Sequence, residues 1–93
     1  QGPAVETFEK DFAAYVGSAF AVAVANGTAA LHIAAMALGL KPGQKVLTTP
    51  LTFVASSNCV RFCGGDVDFG DIDPQTLNID LKLLEKKLEA APK

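Results

Sequence analysis

The 93-residue sequence contains no tryptophan, one tyrosine, one methionine, one histidine and only two cysteines. Cys59 and Cys63 lie four positions apart in a helical pattern, where a disulfide would be awkward and where no His or further Cys completes a metal-binding set. We therefore predict two buried thiols and no metal site. Reduced thiols are typical of cytoplasmic proteins, so the sequence predicts a cytoplasmic location.

Clustered positive charge is also missing. Eight Lys and Arg residues stand against ten Asp and Glu residues, and the formal net charge is −2. Because nucleic-acid binding depends on clustered cations, the sequence excludes a nucleic-acid partner. The apolar run at residues 19–25 is far too short to cross a bilayer, so no membrane partner is expected.

Two nucleotide-binding signatures are absent as well. The sequence has neither the third glycine of a dinucleotide fingerprint nor the Gly-Lys-Ser/Thr of a P-loop, so neither NAD nor ATP binding follows. What it does have is an excess of apolar residues, 49% of the total. A chain of this size buries only about two-thirds of its surface on folding. The excess predicts apolar surface covered by something else, and we interpret the sequence as a piece of a longer protein.

Hydrophobic periodicity predicts a helix followed by three strand-helix units. The predicted helices cover residues 3–16, 29–38, 53–63 and 81–91, and the predicted strands cover residues 20–25, 45–49 and 66–72. Alternating strands and helices with short turns indicate an α/β layered domain with parallel strands.

Pro3 is expected in the first turn of the first helix, and Gly17 is expected to end it.

Two later helices carry further predictions. Thr52 and Asp80 precede the third and fourth helices as plausible N-caps. In the fourth helix, Leu81, Leu84 and Leu88 recur at helical spacing and are predicted to face inward.

The turn Asn26-Gly27-Thr28 connects the first predicted strand to the second helix. A helix that begins directly after a strand presents unpaired backbone N–H groups and the positive end of its dipole, which together can bind a phosphate. Thr28 can cap the helix or donate its hydroxyl. The same residues also suit an ordinary turn, and the local sequence leaves both interpretations open.

Ligands of open parallel sheets collect at the carboxyl ends of the strands, which here are followed by residues 26–28, 49–53 and 70–73. Phe53 lies just past the second of these ends. It is either a core residue, as most phenylalanines are, or a flat surface for a planar ring whose phosphate binds near Thr28.

Three sequence stretches resemble one known family. They are NGTAALH at residues 26–32, TPLTFVASSN at residues 49–58, and DIDP at residues 71–74 with NID at residues 78–80. In this order they resemble the N-terminal part of the DegT-like (DegT/DnrJ/EryC/StrS-type) sugar aminotransferases. The resemblance implies the large domain of a fold type I pyridoxal-phosphate transferase, three-layered with a mainly parallel sheet. It also implies that the first strand lies apart from the other two, separated by strands from later sequence.

The resemblance implies roles for individual residues. It implies that Thr28 and the N–H groups around Gly27 and Ala29 hold the phosphate of pyridoxal 5'-phosphate, that Phe53 stacks on the pyridine ring, and that Asn58 lines the pocket. His32 matches a position that relatives often fill with histidine, and we interpret it as a packing residue.

The resemblance further implies a homodimeric enzyme that transfers an amino group from glutamate to a UDP-linked keto sugar. The resemblance implies that the catalytic lysine lies later in the chain, and the lysines present are unsuited to that role. Lys41 and Lys45 lie at the amino end of a predicted strand, and Lys82, Lys86 and Lys87 lie on a solvated helix face. Two alternatives stay open: a sugar dehydratase or regulator on the same scaffold, and a stand-alone α/β binding module.

Overall fold

A computed structural model describes residues 2–92, so Gln1 and Lys93 of the predicted 1–93 fragment lie outside the described residues. Within that range the chain forms two strands and four helices. The strands are β1 (Lys45–Thr48) and β2 (Asp66–Phe69), and the helices are α1 (Pro3–Val16), α2 (Gly27–Ala37), α3 (Ala55–Phe62) and α4 (Leu81–Ala90). Every predicted helix is present, with bounds that differ by a few residues.

The two strands pair in parallel, as the alternation of elements predicted. Val46 lies opposite Val67, and α3 connects the strands. The hydrogen-bond ladder extends beyond both strand ends, because the N–H of Gly70 donates to the Thr48 carbonyl at 2.9 Å. The carboxyl ends of β1 and β2 therefore lie side by side, which is the arrangement that places ligand-binding loops together in parallel sheets.

Small side chains form the core, where α3 packs against α2 and the two strands. The buried residues at this contact are Ala35, Ala55, Cys59 and Val60, with Val60 only 2% exposed. Both cysteines are free thiols, Cys59 buried and Cys63 half-buried. Burial of Cys59 confirms that part of the thiol prediction. Alanines in the contact allow α2 and α3 to approach closely, and this sets the position of the α2 start relative to α3.

The predicted strand at residues 20–25 is wrong for this structure, which shows neither helix nor strand there. Phe20 is 86% exposed, and the N–H of Ala23 donates to the carboxylate of Glu9 at 2.7 Å. The valine-alanine composition suits a buried strand, but a strand needs a neighbour for its backbone groups. Within residues 2–92, β1 and β2 pair with each other and leave residues 20–25 without a neighbouring strand.

Helix α1 begins and ends as its sequence predicts. Pro3 occupies the first turn, and Gly17 adopts a left-handed conformation with φ 71°. The N–H of Gly17 donates to the carbonyls of Ala13 and Ala14, which satisfies groups that a helix end leaves without partners.

Helix α3 begins two residues later than predicted, at Ala55, and Thr52 is not its N-cap. The residue before α3 is Val54, and no side chain caps the helix there. The hydroxyl of Thr52 instead lies 3.5 Å from that of Ser56. Phe53 is consequently placed on the loop between β1 and α3 rather than inside the helix.

Helix α4 confirms two predictions and corrects one. The carboxylate of Asp80 accepts hydrogen bonds from the N–H groups of the second and third helical residues, at 2.8 and 3.0 Å, so it is the N-cap. The predicted inward leucine face is wrong, because Leu81 and Leu88 are exposed and only Leu84 is half-buried. The physical reason is that no helix or strand of residues 2–92 packs closely against the leucines of α4, which touches β2 through the side chain of Lys87. Lys87 lies on the solvated face as expected, and there it binds Asp68.

No helix in the part of the chain that the structure describes has the length and apolar character needed to cross a membrane.

Candidate functional site

The start of α2 is fixed by Asn26. This residue is in an extended conformation, and its side-chain oxygen Oδ1 accepts a hydrogen bond from the N–H of Ala29 at 2.9 Å. Its backbone carbonyl accepts from the N–H of Ala30 at 3.1 Å. Asn26, and not Thr28, is therefore the N-cap of the helix.

Two donors remain at this helix start. The N–H groups of Gly27 and Thr28 belong to the first two helical residues, which have no acceptor within a helix. A Cβ built on Gly27 would meet no atom within 4 Å, so the turn is open to approach. Thr28 is half-buried and adds a hydroxyl group next to these amides. Amide donors at the positive end of a helix, with a hydroxyl beside them, are the groups that bind a phosphate.

Phe53 faces the same region. It is 73% exposed, and with Gly27 and Thr28 it lines an open depression of about 680 Å³. The remaining lining residues are Ala30, Leu31, Ala34 and Ala55. The depression thus combines a polar end at the α2 start with apolar walls and an exposed aromatic ring. That combination fits a planar ring that carries a phosphate.

Ala29 and Asn58, also predicted as site residues, do not line the depression. The N–H of Ala29 is bound to Asn26, so it is not available as a donor in this conformation. Asn58 lies on α3, one turn beyond Ala55, and is half-buried.

His32 packs as the sequence predicted. Its ring lies 5.2 Å from that of Phe62, centroid to centroid, with the two planes tilted by 56°. The contact joins α2 to α3 and accounts for this side chain without a catalytic role.

The third strand end, residues 70–73, forms a turn of its own. Ile72 pairs with Ile79 in an antiparallel bridge, and the Asp73 carboxylate accepts from the N–H of Gln75 at 2.7 Å. None of these residues lines the depression. Of the three strand-end stretches that the sequence singled out, the structure brings together residues from two.

The lysines lie outside the depression as well. Lys45 begins β1, at the amino end of the strand. The ammonium of Lys87 binds the carboxylate of Asp68 at 2.9 Å and the backbone carbonyl of Phe69. The hydrogen bond from Lys87, helped by one from the Phe69 N–H, lowers the pKa of Asp68 below its ordinary value.

Besides Ala55 on α3, sequence reasoning missed Ala30, Leu31 and Ala34 of α2 as lining residues. With Gly27 they occupy positions i, i+3, i+4 and i+7 of α2, and so form one stripe on the helix surface. Helical periodicity counted from Gly27 would have found them. The capping role of Asn26 also had a signal, because asparagine is among the preferred N-cap residues.

The whole chain, residues 1–93, matches the sequence profile of the DegT/DnrJ/EryC1/StrS aminotransferase family. The chain therefore belongs to this family. The match confirms the resemblance seen in the three sequence stretches.

Two curated relatives illustrate the similarity. The chain is 50% identical over 91 residues to the spore coat polysaccharide biosynthesis protein SpsC of Bacillus subtilis, covering 98% of this chain and 22% of that protein. It is 44% identical over 84 residues to UDP-2-acetamido-2-deoxy-3-oxo-D-glucuronate aminotransferase of Pseudomonas aeruginosa, covering 90% of this chain and 23% of that protein. The chain thus spans less than a quarter of the length of either relative.

The fold is also that of solved relatives. The putative sugar aminotransferase Spr1654 of Streptococcus pneumoniae, in its PLP-form, superposes with a TM-score of 0.88 at 28% identity, covering 92% of this chain and 22% of that one. Together with the parallel β1–β2 pair, this similarity confirms the predicted α/β class of a fold type I transferase.

Proposed function

We propose that the full-length protein containing this chain is a pyridoxal-phosphate-dependent aminotransferase of nucleotide-linked sugars. Residues 1–93 are then the N-terminal portion of its large domain. One observation carries the proposal: Thr28 and Phe53, far apart in sequence, line the same open depression at the start of α2. Membership of an aminotransferase family supports it independently.

The proposed cofactor site uses the groups that this chain offers. The N–H groups of Gly27 and Thr28 and the Thr28 hydroxyl bind the phosphate, and Phe53 covers one side of the pyridine ring. The apolar stripe of α2 keeps water away from that side of the ring. Bound pyridoxal phosphate supplies an electron sink for the transfer of the amino group.

Ala29 and Asn58 complete the proposed cofactor-binding set. Ala29 contributes the backbone that follows Thr28, held in place by its hydrogen bond to Asn26. Asn58 contributes a half-buried amide from α3, the helix that also places Ala55 in the depression. None of these residues performs the chemical step. The catalytic lysine belongs to later sequence.

The proposed substrates are glutamate and a UDP-linked 4-keto-6-deoxy sugar, used in surface polysaccharide or pseudaminic acid biosynthesis. A relative that is named as a UDP-sugar aminotransferase supports the UDP group, and one named for polysaccharide biosynthesis supports the pathway class. The proposed enzyme is a cytoplasmic homodimer.

The test of the cofactor is direct. Full-length protein is mixed with pyridoxal phosphate, and both the visible absorption of bound cofactor and the melting temperature are measured. The proposal predicts a visible band and a higher melting temperature, because a ligand that binds the native state stabilises it. Protein that stays colourless and gains no stability would contradict the proposal.

The reaction is tested with the protein that has bound the cofactor. Cofactor-loaded protein is incubated with glutamate and a UDP-linked 4-keto-6-deoxy sugar, and the amino sugar is detected by mass spectrometry. The matched control is the same sugar linked to GDP. If only the GDP-linked sugar is aminated, the proposed UDP group of the substrate is wrong and GDP replaces it. Cofactor binding without amination of either would favour a dehydratase or a regulator.

A further inference from the structure

Asn26 lies next to the proposed cofactor site but is not one of its ligands. Its two oxygen acceptors both point into the start of α2, where they bind the N–H groups of Ala29 and Ala30 at 2.9 and 3.1 Å. These are the third and fourth amides after the cap. The bond from Ala30 is the first regular hydrogen bond of the helix, so the Asn26 side chain satisfies one of the amides that a helix start leaves without partners, that of Ala29, and leaves those of Gly27 and Thr28.

We infer that Asn26 is a positioning residue for the phosphate: it completes the start of α2 with an uncharged oxygen and keeps negative charge away from the anion. The inference rests on the function proposed above. It adds a requirement on the cap, namely that the capping side chain be neutral.

The N-cap of α4 shows that this chain also uses a charged side chain to cap a helix. Helix α4 is capped by Asp80, whose carboxylate accepts from the N–H groups of Lys82 and Leu83. Aspartate and asparagine cap helices about equally well, and a negative charge additionally favours the positive end of the helix dipole. Stability alone would therefore accept aspartate at position 26. The chain uses a carboxylate at α4 and an amide at α2.

The charges around the depression agree with this interpretation. Its lining consists of apolar side chains, Gly27 and Thr28, and it contains no carboxylate within the described residues. A carboxylate at position 26 would lie beside the two remaining amides and repel a phosphate bound there. An uncharged hydroxyl at this position would cap the helix without such repulsion.

The test compares Asn26→Asp and Asn26→Ser in the full-length protein. Dissociation constants are measured for pyridoxal phosphate and for pyridoxal, which lacks the phosphate, together with the melting temperature of the cofactor-free protein. For Asn26→Asp we expect a loss of roughly tenfold or more in pyridoxal-phosphate affinity, shrinking as salt is added. We expect pyridoxal affinity and melting temperature to stay close to wild type. Asn26→Ser should bind both ligands as wild type does.

A matched control is Asp80→Asn, the reverse substitution at the cap of α4, which should leave the affinity for pyridoxal phosphate unchanged. Wild-type affinity for pyridoxal phosphate in Asn26→Asp would overturn the inference. So would an equal loss for pyridoxal and pyridoxal phosphate, because that pattern indicates a structural defect without phosphate selectivity.

Two further outcomes separate this inference from the proposed function. If Asn26→Asp does not fold, Asn26→Ser and Asn26→Ala are titrated with inorganic phosphate. Weaker binding by the alanine variant supports positioning by the cap, and equal binding overturns it. Wild-type protein that prefers pyridoxal phosphate to pyridoxal, together with an Asn26→Asp variant that keeps the same preference, would overturn the inference and leave the cofactor proposal standing. Wild-type protein that binds neither would contradict both.

Discussion

At the scale of single residues, the proposed cofactor site combines groups from the start of a helix and from a loop. Gly27 and Thr28 lie at the start of α2, and Phe53 lies on the loop before α3. The sequence predicted these three because strand ends of parallel sheets meet at one edge. It could not predict which side chain caps α2, since both Asn26 and Thr28 are capable of it. The structure gives that role to Asn26, which occupies the Ala29 amide.

Phe53→Ala tests the aromatic contact. We expect pyridoxal-phosphate affinity to fall about twofold to tenfold, because an aromatic stacking contact contributes roughly 0.5–1.5 kcal/mol. The melting temperature should hardly change, since the side chain is largely exposed. The measurement is a fluorescence titration of the full-length protein. Phe20→Ala, which removes another exposed phenylalanine outside the depression, should bind the cofactor as wild type does. Equal affinities in the two variants would contradict the role of Phe53.

Leu77 provides a test of backbone strain. Among the non-glycine residues of the range 2–92, Leu77 is the one with a positive φ, 61°. A left-handed conformation costs leucine about 1 kcal/mol, whereas asparagine tolerates it. Because Leu77 is largely exposed, little apolar burial is lost on substitution. We expect Leu77→Asn to match or exceed wild type in melting temperature.

The matched control for Leu77 is Leu51→Asn, which makes the same change at a similarly exposed leucine with no positive φ. It should bring no gain. A larger loss of melting temperature in Leu77→Asn than in Leu51→Asn would show that Leu77 contributes packing that outweighs its strain.

At the scale of elements, the sequence predicted the helix ends that local residues determine. Pro3 and Gly17 bound α1, and Asp80 caps α4, so local chemistry alone places these ends. Strands β1 and β2 were predicted from their hydrophobic patterns, and they form because each pairs with the other. The strand at residues 20–25 could not be judged from its composition, because pairing depends on a neighbour that composition does not reveal.

The ion pair between α4 and β2 makes the stability of the fold depend on pH. Lys87 on α4 binds Asp68 on β2 and holds the pKa of that carboxyl below its ordinary value of 3.8. Since the folded state binds this proton less readily than the unfolded state, stability falls as pH decreases. The stabilisation is present above the ordinary pKa and is lost as pH falls through the lowered one.

Melting temperatures of wild type and Asp68→Asn, followed from neutral pH down to about pH 3, test this linkage. We expect wild type to be the more stable at neutral pH and the difference to disappear in acid. Asp66→Asn is the control, because its pair with Arg61 is longer, at 3.4 Å, and more exposed. A difference between wild type and Asp68→Asn that persists at the lowest pH would contradict the linkage.

At the scale of the whole molecule, the chain exposes more surface than a globular domain of its size. Its accessible surface is 7236 Å², whereas about 5100 Å² is expected for this mass. Its radius of gyration is 16.3 Å, against roughly 12 Å for a compact chain of this length. Phe8 and Phe12 stack at 5.7 Å on an exposed face of α1. These features disfavour a stand-alone binding module and agree with the apolar excess in the sequence.

The measurement that tests the central claim most directly is the affinity of full-length protein for pyridoxal phosphate with and without the Thr28 hydroxyl. Thr28→Val should weaken binding about tenfold to a hundredfold, because a hydrogen bond to a charged group contributes roughly 1.5–3 kcal/mol. Thr7→Val makes the same change on α1 and should leave the affinity at the wild-type value. If Thr28→Val binds the cofactor as tightly as wild type and Thr7→Val, the start of α2 does not hold the phosphate.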